Sequence, residues 1–151
     1  MTITDRPIRI AILGTGRISG KHLEAIAVHA DDLELVGACD TDEAALASAA
    51  IPEGTPTFDC LETMIEETSP DIVTICTPSG MHPDHAIRCA KAGVHVMSEK
   101  PMATHWQDGI DMVKACDDAG VRLFVVKQNR LNATLQLLKR AVESGRFGRI
   151  N

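Results

Sequence analysis

The sequence predicts an α/β fold, a doubly wound parallel sheet with helices on both faces. Three observations predict it. Five short apolar runs rich in Ile and Val recur along the 151 residues, separated by segments with helical spacing. The first run empties into Gly14-Thr15-Gly16-Arg17-Ile18-Ser19, and a helical pattern follows at once. The later runs end in polar or turn-forming residues: Asp40, Thr77-Pro78, Glu99-Lys100-Pro101 and Lys127-Gln128. That is where an open α/β sheet gathers its ligand-binding groups.

Ile8–Leu13 and Leu33–Cys39 read as buried strands, as do 72–76, 94–98 and 123–126; Thr57-Phe58 marks a weaker one. A helix is expected over 17–30, where Ile18, Leu23, Ile26 and Ala27 fall near helical spacing, and another over alanine-rich 42–50. Leu61, Met64 and Ile65 place one at 60–67, a first-turn proline opens one at 83–92, and Gly120 closes one at 104–119. Trp106 is expected to pack near the start of that last helix. A further helix is expected over 132–144, with Gly145 past its end, and 146–150 reads as the start of another strand. The predicted organisation is a dinucleotide-binding domain at 1–127, then a crossing helix and the start of a truncated second domain at 128–151.

Composition narrows the function classes. With 44% hydrophobic and 24% charged residues the chain can bury a core and is not read as disordered. A net charge of −6 argues against nucleic acid or an anionic membrane as partner. No apolar run approaches the ~20 residues that span a bilayer. The N-terminus has no apolar stretch or small-residue cleavage site and is not read as a signal peptide. Five cysteines, an odd number without Cys-x-x-Cys, read as buried free thiols in a reducing compartment, so a cytoplasmic location is expected.

The glycine turn carries the strongest chemistry. Gly14 permits the tight turn out of the strand, and Gly16 lets the backbone approach a pyrophosphate. The following helix would offer free N–H groups and its positive end to that phosphate. Ser19 takes the third glycine position and is small enough for close packing. The strand before and the helix after supply the context that a bare Gly-x-Gly-x-x-Gly lacks. A phosphate-binding P-loop is excluded, because its spacing fails and Lys21 is followed by His22. Asp40 ends the second strand, where a carboxylate accepts from the adenine-ribose hydroxyls and repels a 2′-phosphate, favouring NAD over NADP. The competing role for Asp40 is to cap the helix near Asp42.

Thr77, Pro78, Ser79 and His82 form the loop after the next strand and are candidates for polar contact with the cofactor. His82-Pro83-Asp84-His85 is a poor metal site, since no third ligand is in sight. Lys100 is delivered to the same sheet edge with Glu99 before it and Pro101 after it, where partial desolvation would suit it to acid–base work. Gln128, Asn129 and Arg130 follow the last strand and suit a charged or hydroxylated ligand; the alternative is a solvated linker.

Taken together, Gly14-Thr-Gly-Arg-Ile, Asp40, Thr77-Pro78-Ser79 with His82, and Glu99-Lys100-Pro101 resemble the Gfo/Idh/MocA family of sugar and cyclitol oxidoreductases. The resemblance spans essentially the whole chain. It implies a Rossmann-like NAD(P)-binding domain and NAD as cofactor, held by Gly14, Gly16, Arg17, Ile18, Asp40, Thr77, Pro78, Ser79, His82, Glu99, Lys100 and Gln128. Lys100 would be catalytic, and Lys100, Asn129 and Arg130 would face a nucleotide-sugar or sugar substrate. The family's second half, an α+β substrate domain that contributes an Asp/His pair, is absent, so this chain alone is expected to bind cofactor without turnover. A homo-oligomer is implied for the full-length protein. The run Lys127-Gln128-Asn129-Arg130-Leu131-Asn132 further resembles the bacterial UDP-N-acetylglucosaminuronic acid 3-dehydrogenases of lipopolysaccharide-sugar synthesis. That implies oxidation of a sugar 3′-hydroxyl by NAD. The alternatives are a dehydrogenase of another sugar or cyclitol such as inositol, and a non-catalytic NAD-binding module.

Overall fold

The computed structural model describes residues 3–149. Met1, Thr2, Ile150 and Asn151 lie outside them, and with Ile150 the strand start read there. Six strands are formed: β1 (Ile8–Leu13), β2 (Leu33–Cys39), β3 (Thr57–Phe58), β4 (Ile72–Ile75), β5 (His95–Ser98) and β6 (Leu123–Val125). They alternate with α1 (Ser19–Val28), α2 (Glu43–Ser48), α3 (Leu61–Thr68), α4 (His82–Lys91) and α5 (Trp106–Asp118), and α6 (Ala133–Glu143) follows. All neighbouring strands are parallel, in the order β3-β2-β1-β4-β5-β6. The chain runs outward from β1 to one edge, returns, and runs out to the other, so the order reverses between β1 and β4.

Side chains of β1 alternate between two cores, as the pleat requires. Ile10 and Ile12 pack with Leu23 and Ile26 of α1 on one face. Ala11 and Leu13 pack on the other with Leu61 and Met64 of α3, Ala86 and Cys89 of α4, and Met112 and Cys116 of α5. Each large aliphatic buried this way contributes roughly 1.5–3 kcal/mol. The strands are therefore apolar on both faces, which is why they read as unbroken runs and not as alternating ones. All five cysteines are free; Cys39, Cys76, Cys89 and Cys116 are buried and Cys60 is half-buried.

The helices are shorter than their sequence patterns by one or two residues at several ends. α5 and α6 end as expected, at left-handed Gly120 and Gly145. α2 is capped by Asp42, whose carboxylate accepts from the Ala44 N–H at 2.9 Å. Two expectations are corrected. Trp106 does not pack: it is 83% exposed on the first turn of α5. β6 is not a buried strand either, because it lies at the sheet edge and leaves Phe124 exposed. An apolar trio and an aromatic residue look alike in sequence whether they fill a core or line an edge.

α6 carries no buried residue, and its Leu135, Leu138 and Val142 are exposed. Among the described residues, no helix is long and apolar enough to cross a membrane.

Candidate cofactor and catalytic site

The carboxyl ends of β1, β2 and β4 open into a cleft of about 600 Å³ beside the point where strand order reverses, the place such sheets bind ligands. Gly14 forms its floor at φ +91°. A Cβ there would lie 2.8 Å from the backbone of Cys76 and Thr77, so no other residue fits between β1 and β4. A Cβ on Gly16 would meet nothing within 4 Å, which leaves room for a ligand against the backbone. Ser19 is buried, and its hydroxyl donates to the Gly16 carbonyl at 2.6 Å, closing the turn. No side chain caps α1 and no acidic residue stands in its first turn, so its positive end is open to an anion. Arg17 is exposed at this end, whereas Ile18 packs partly into the core beneath it.

Asp40 is half-buried and lines the cleft with Thr41, Asp42 and Asp59. Its Oδ2 accepts from the Thr15 N–H at 2.7 Å and the Thr15 hydroxyl at 3.2 Å, and its Oδ1 accepts from the Asp42 N–H at 3.0 Å. Burial alone would raise its pKa; the bonds from Thr15, Asp42 and Thr41 outweigh that and hold the carboxyl below its usual range. The helix cap is Asp42, which leaves Asp40 aimed at the cleft. A Cβ-free approach at Gly16, an open helix end and an ionised carboxylate at the next strand together fit the phosphates and ribose of a dinucleotide.

Thr77 and Pro78 line the same cleft, and Ser79 starts a short 3₁₀ turn, Ser79–Met81. Thr77 Oγ1 lies 3.0 Å from His85 Nδ1. His85 is buried, and desolvation, with Arg88 next, lowers its pKa. The expectation that His82 offers a polar contact to the cofactor is corrected. It is 1% exposed, with Nδ1 2.8 Å from the Pro101 carbonyl and Nε2 2.8 Å from the Thr77 carbonyl. Both ring nitrogens are taken by backbone.

Lys100 leaves β5 exposed, followed by a cis peptide bond to Pro101. The desolvation expected of it is not supplied by the described residues. Glu99 is 5% exposed, and its carboxylate is occupied by the His22 ring at 2.9 Å and by the Lys100 N–H at 3.1 Å. It too is turned to protein and not to the cleft. Gln128, Asn129 and Arg130 are exposed in a 3₁₀ turn after β6. Because Ser98 pairs with Val125, that turn and Lys100 leave neighbouring strands at the same level. Sequence reasoning missed His22, Asp59, Cys60, His85 and Arg88 as parts of the site; of these only His85, three residues from His82, had a spacing that drew notice. Among the described residues, no three metal-binding side chains stand together.

Residues 8–127 match the Gfo/Idh/MocA family, described as an oxidoreductase family with an NAD-binding Rossmann fold. The chain belongs to that family. Among solved structures of the family, the WlbA dehydrogenase of Bordetella pertussis, crystallised with NADH and UDP-GlcNAcA, is 58% identical over 99% of this chain and 43% of its own, with a TM-score of 0.91. The Chromobacterium violaceum WlbA dehydrogenase, with the same ligands, is 56% identical over 98% of this chain and 43% of its own, also at 0.91. The D-glucoside 3-dehydrogenase of Escherichia coli K12 is 30% identical over 98% of this chain and 42% of its own length. The chain thus spans less than half the length of these relatives.

Proposed function

We propose that this chain is the NAD-holding part of a dehydrogenase that oxidises the 3′-hydroxyl of UDP-N-acetylglucosaminuronic acid to a ketone, in the synthesis of lipopolysaccharide sugars. The observation that carries the reading is the identity gap. Two relatives crystallised with NADH and UDP-GlcNAcA stand at 58% and 56%, whereas the myo-inositol 2-dehydrogenase of Thermotoga maritima stands at 32%. The division of the chain into a cofactor domain at 1–127 and a crossing segment at 128–151 belongs to the same proposal.

In this reading Gly14, Gly16 and the open end of α1 receive the pyrophosphate, and Asp40 takes the ribose hydroxyls. Thr77 and Pro78 form the wall of the cleft beyond Gly14, and Ser79 starts the turn that follows them. Bound NAD supplies the hydride acceptor. Lys100 Nζ takes the proton from the sugar hydroxyl, or relays it, as the carbon is oxidised. Asn129 and Arg130, in the 3₁₀ turn that follows the next strand, face the substrate, with the Arg130 guanidinium suited to its anionic groups. General acid–base assistance of this kind is worth about 10²–10⁴-fold.

The test is Lys100→Met in the full-length enzyme, supplied with UDP-N-acetylglucosaminuronic acid and followed by NADH absorbance. Turnover should fall by about 10²–10⁴-fold while NADH still binds. Parent-like turnover rejects the lysine's role, and turnover by the parent on inositol but not on the UDP-sugar rejects the substrate.

A further inference from the structure

The Lys100 side chain is exposed, yet the backbone on either side of it is pinned. On the N-terminal side, the Glu99 carboxylate holds the Lys100 N–H at 3.1 Å and is itself held by His22 Nε2 at 2.9 Å. On the C-terminal side, the Pro101 carbonyl lies 2.8 Å from His82 Nδ1, and His82 Nε2 lies 2.8 Å from the Thr77 carbonyl. The two histidines come from opposite faces of the sheet. His22 belongs to α1, whose Leu23 and Ile26 pack with Ile10 and Ile12. His82 opens α4, whose Ala86 and Cys89 pack in the core containing Ala11 and Leu13.

A buried carboxylate is costly unless paired and hydrogen-bonded, and Glu99 meets that condition only by linking α1 to the lysine loop. His82 can satisfy its ring only by joining the loop after β4 to the loop after β5; a neutral ring donates to one of the two carbonyls and a protonated ring to both. A flexible lysine side chain is aimed by where its backbone points, and a misplacement of about 1 Å at a reacting group can cost about 10²-fold in rate.

We propose that His22, acting through Glu99, and His82, acting through Pro101, are positioning residues that hold Lys100 in place from the two faces of the sheet. This rests on the reading of Lys100 as the proton-handling group, and it moves Glu99 from cofactor contact to support. It also links the helix behind the glycine turn to the lysine, so that the element receiving the cofactor and the residue doing the chemistry are fixed to one another.

The experiment is a pair of double-mutant cycles on kcat in the full-length enzyme, His22→Ala and His82→Ala each made with Lys100 and with Lys100→Met, beside NADH titrations of the 151-residue chain. With Lys100 present, each histidine variant should lower kcat by about 10–100-fold with little change in KM. In the Lys100→Met background the same changes should cost little more, since their effect passes through the lysine. His22→Gln, which keeps an N–H for Glu99, should recover part of the loss. NADH should bind the His22→Ala and Glu99→Gln chains as tightly as the parent. Equal losses in both backgrounds, or weakened NADH binding by Glu99→Gln with kcat intact, overturn the proposal while leaving Lys100 its role. Parent-like turnover of Lys100→Met alone removes the lysine's role and the supports with it. If His82→Ala fails to fold, the His22 cycle decides.

Discussion

Asp40 shows how one residue in this site serves two ends. Its carboxylate fixes Thr15 in the glycine turn through two bonds to Oδ2 and still reaches the cleft. Its ionised form is the one a ribose diol can donate to and a 2′-phosphate is repelled by. Asp40→Ala should therefore weaken NADH binding and relax discrimination against NADPH. Asp42 and Asp59 remain on the cleft and keep its charge negative, so NADPH should gain on NADH without overtaking it. Parallel titrations of the two cofactors, read by fluorescence, check both parts; an unchanged ratio rejects the ribose assignment. Glu99 and His82 teach the opposite lesson. Both stand in motif positions, and both spend their polar atoms on the protein.

Among the elements, α3 and α4 are joined outside the core by an ion pair. Arg88 places Nε and Nη2 2.7 and 2.6 Å from the two Glu62 oxygens. The hydrogen bond from Arg88 is the main reason the Glu62 carboxyl is pulled from its ordinary 4.5 to about 2. Because the folded value is the depressed one, the pair's contribution is present in full above about pH 4.5 and is lost as pH falls towards 2. The side chains are partly exposed, so water screens the pair and the effect is small. Glu62→Gln should be slightly less stable than the parent at neutral pH, with the difference closing below pH 4.5. Urea unfolding across that range measures it, and a gap that persists at pH 2 contradicts the assignment. At this scale the helices were legible because their apolar spacing is periodic. Their ends were less so: Asp40 and Asp42 are the same residue type two apart, and only the backbone bonds tell cap from ligand.

For the molecule as a whole, the cleft is lined from β1, β2 and β4 together with α2, α3 and α4, all within residues 8–127. Lys100, Asn129 and Arg130 stand exposed beyond it, and α6 leaves its apolar side uncovered. The 151-residue chain should therefore bind NADH but show no dehydrogenase turnover with UDP-N-acetylglucosaminuronic acid. A fluorescence titration and an absorbance assay on the same preparation test the two halves of that statement. Measured turnover would show that these residues form the substrate site by themselves.

The sequence by itself determined the doubly wound sheet, the glycine turn and the carboxylate at the second strand's end. Each is a local matter: strands buried on both faces must be apolar runs, a tight left-handed turn out of a strand calls for glycine, and ligand groups gather where strands end. Only the tertiary structure decided what Glu99, His22 and His82 do, that Trp106 lies outside the core, and that Asp59, His85 and Arg88 belong to the cleft. The reason is distance along the chain. His22 and Glu99 are 77 residues apart and meet only because the strand order reverses between β1 and β4, a fact of topology that no local pattern carries.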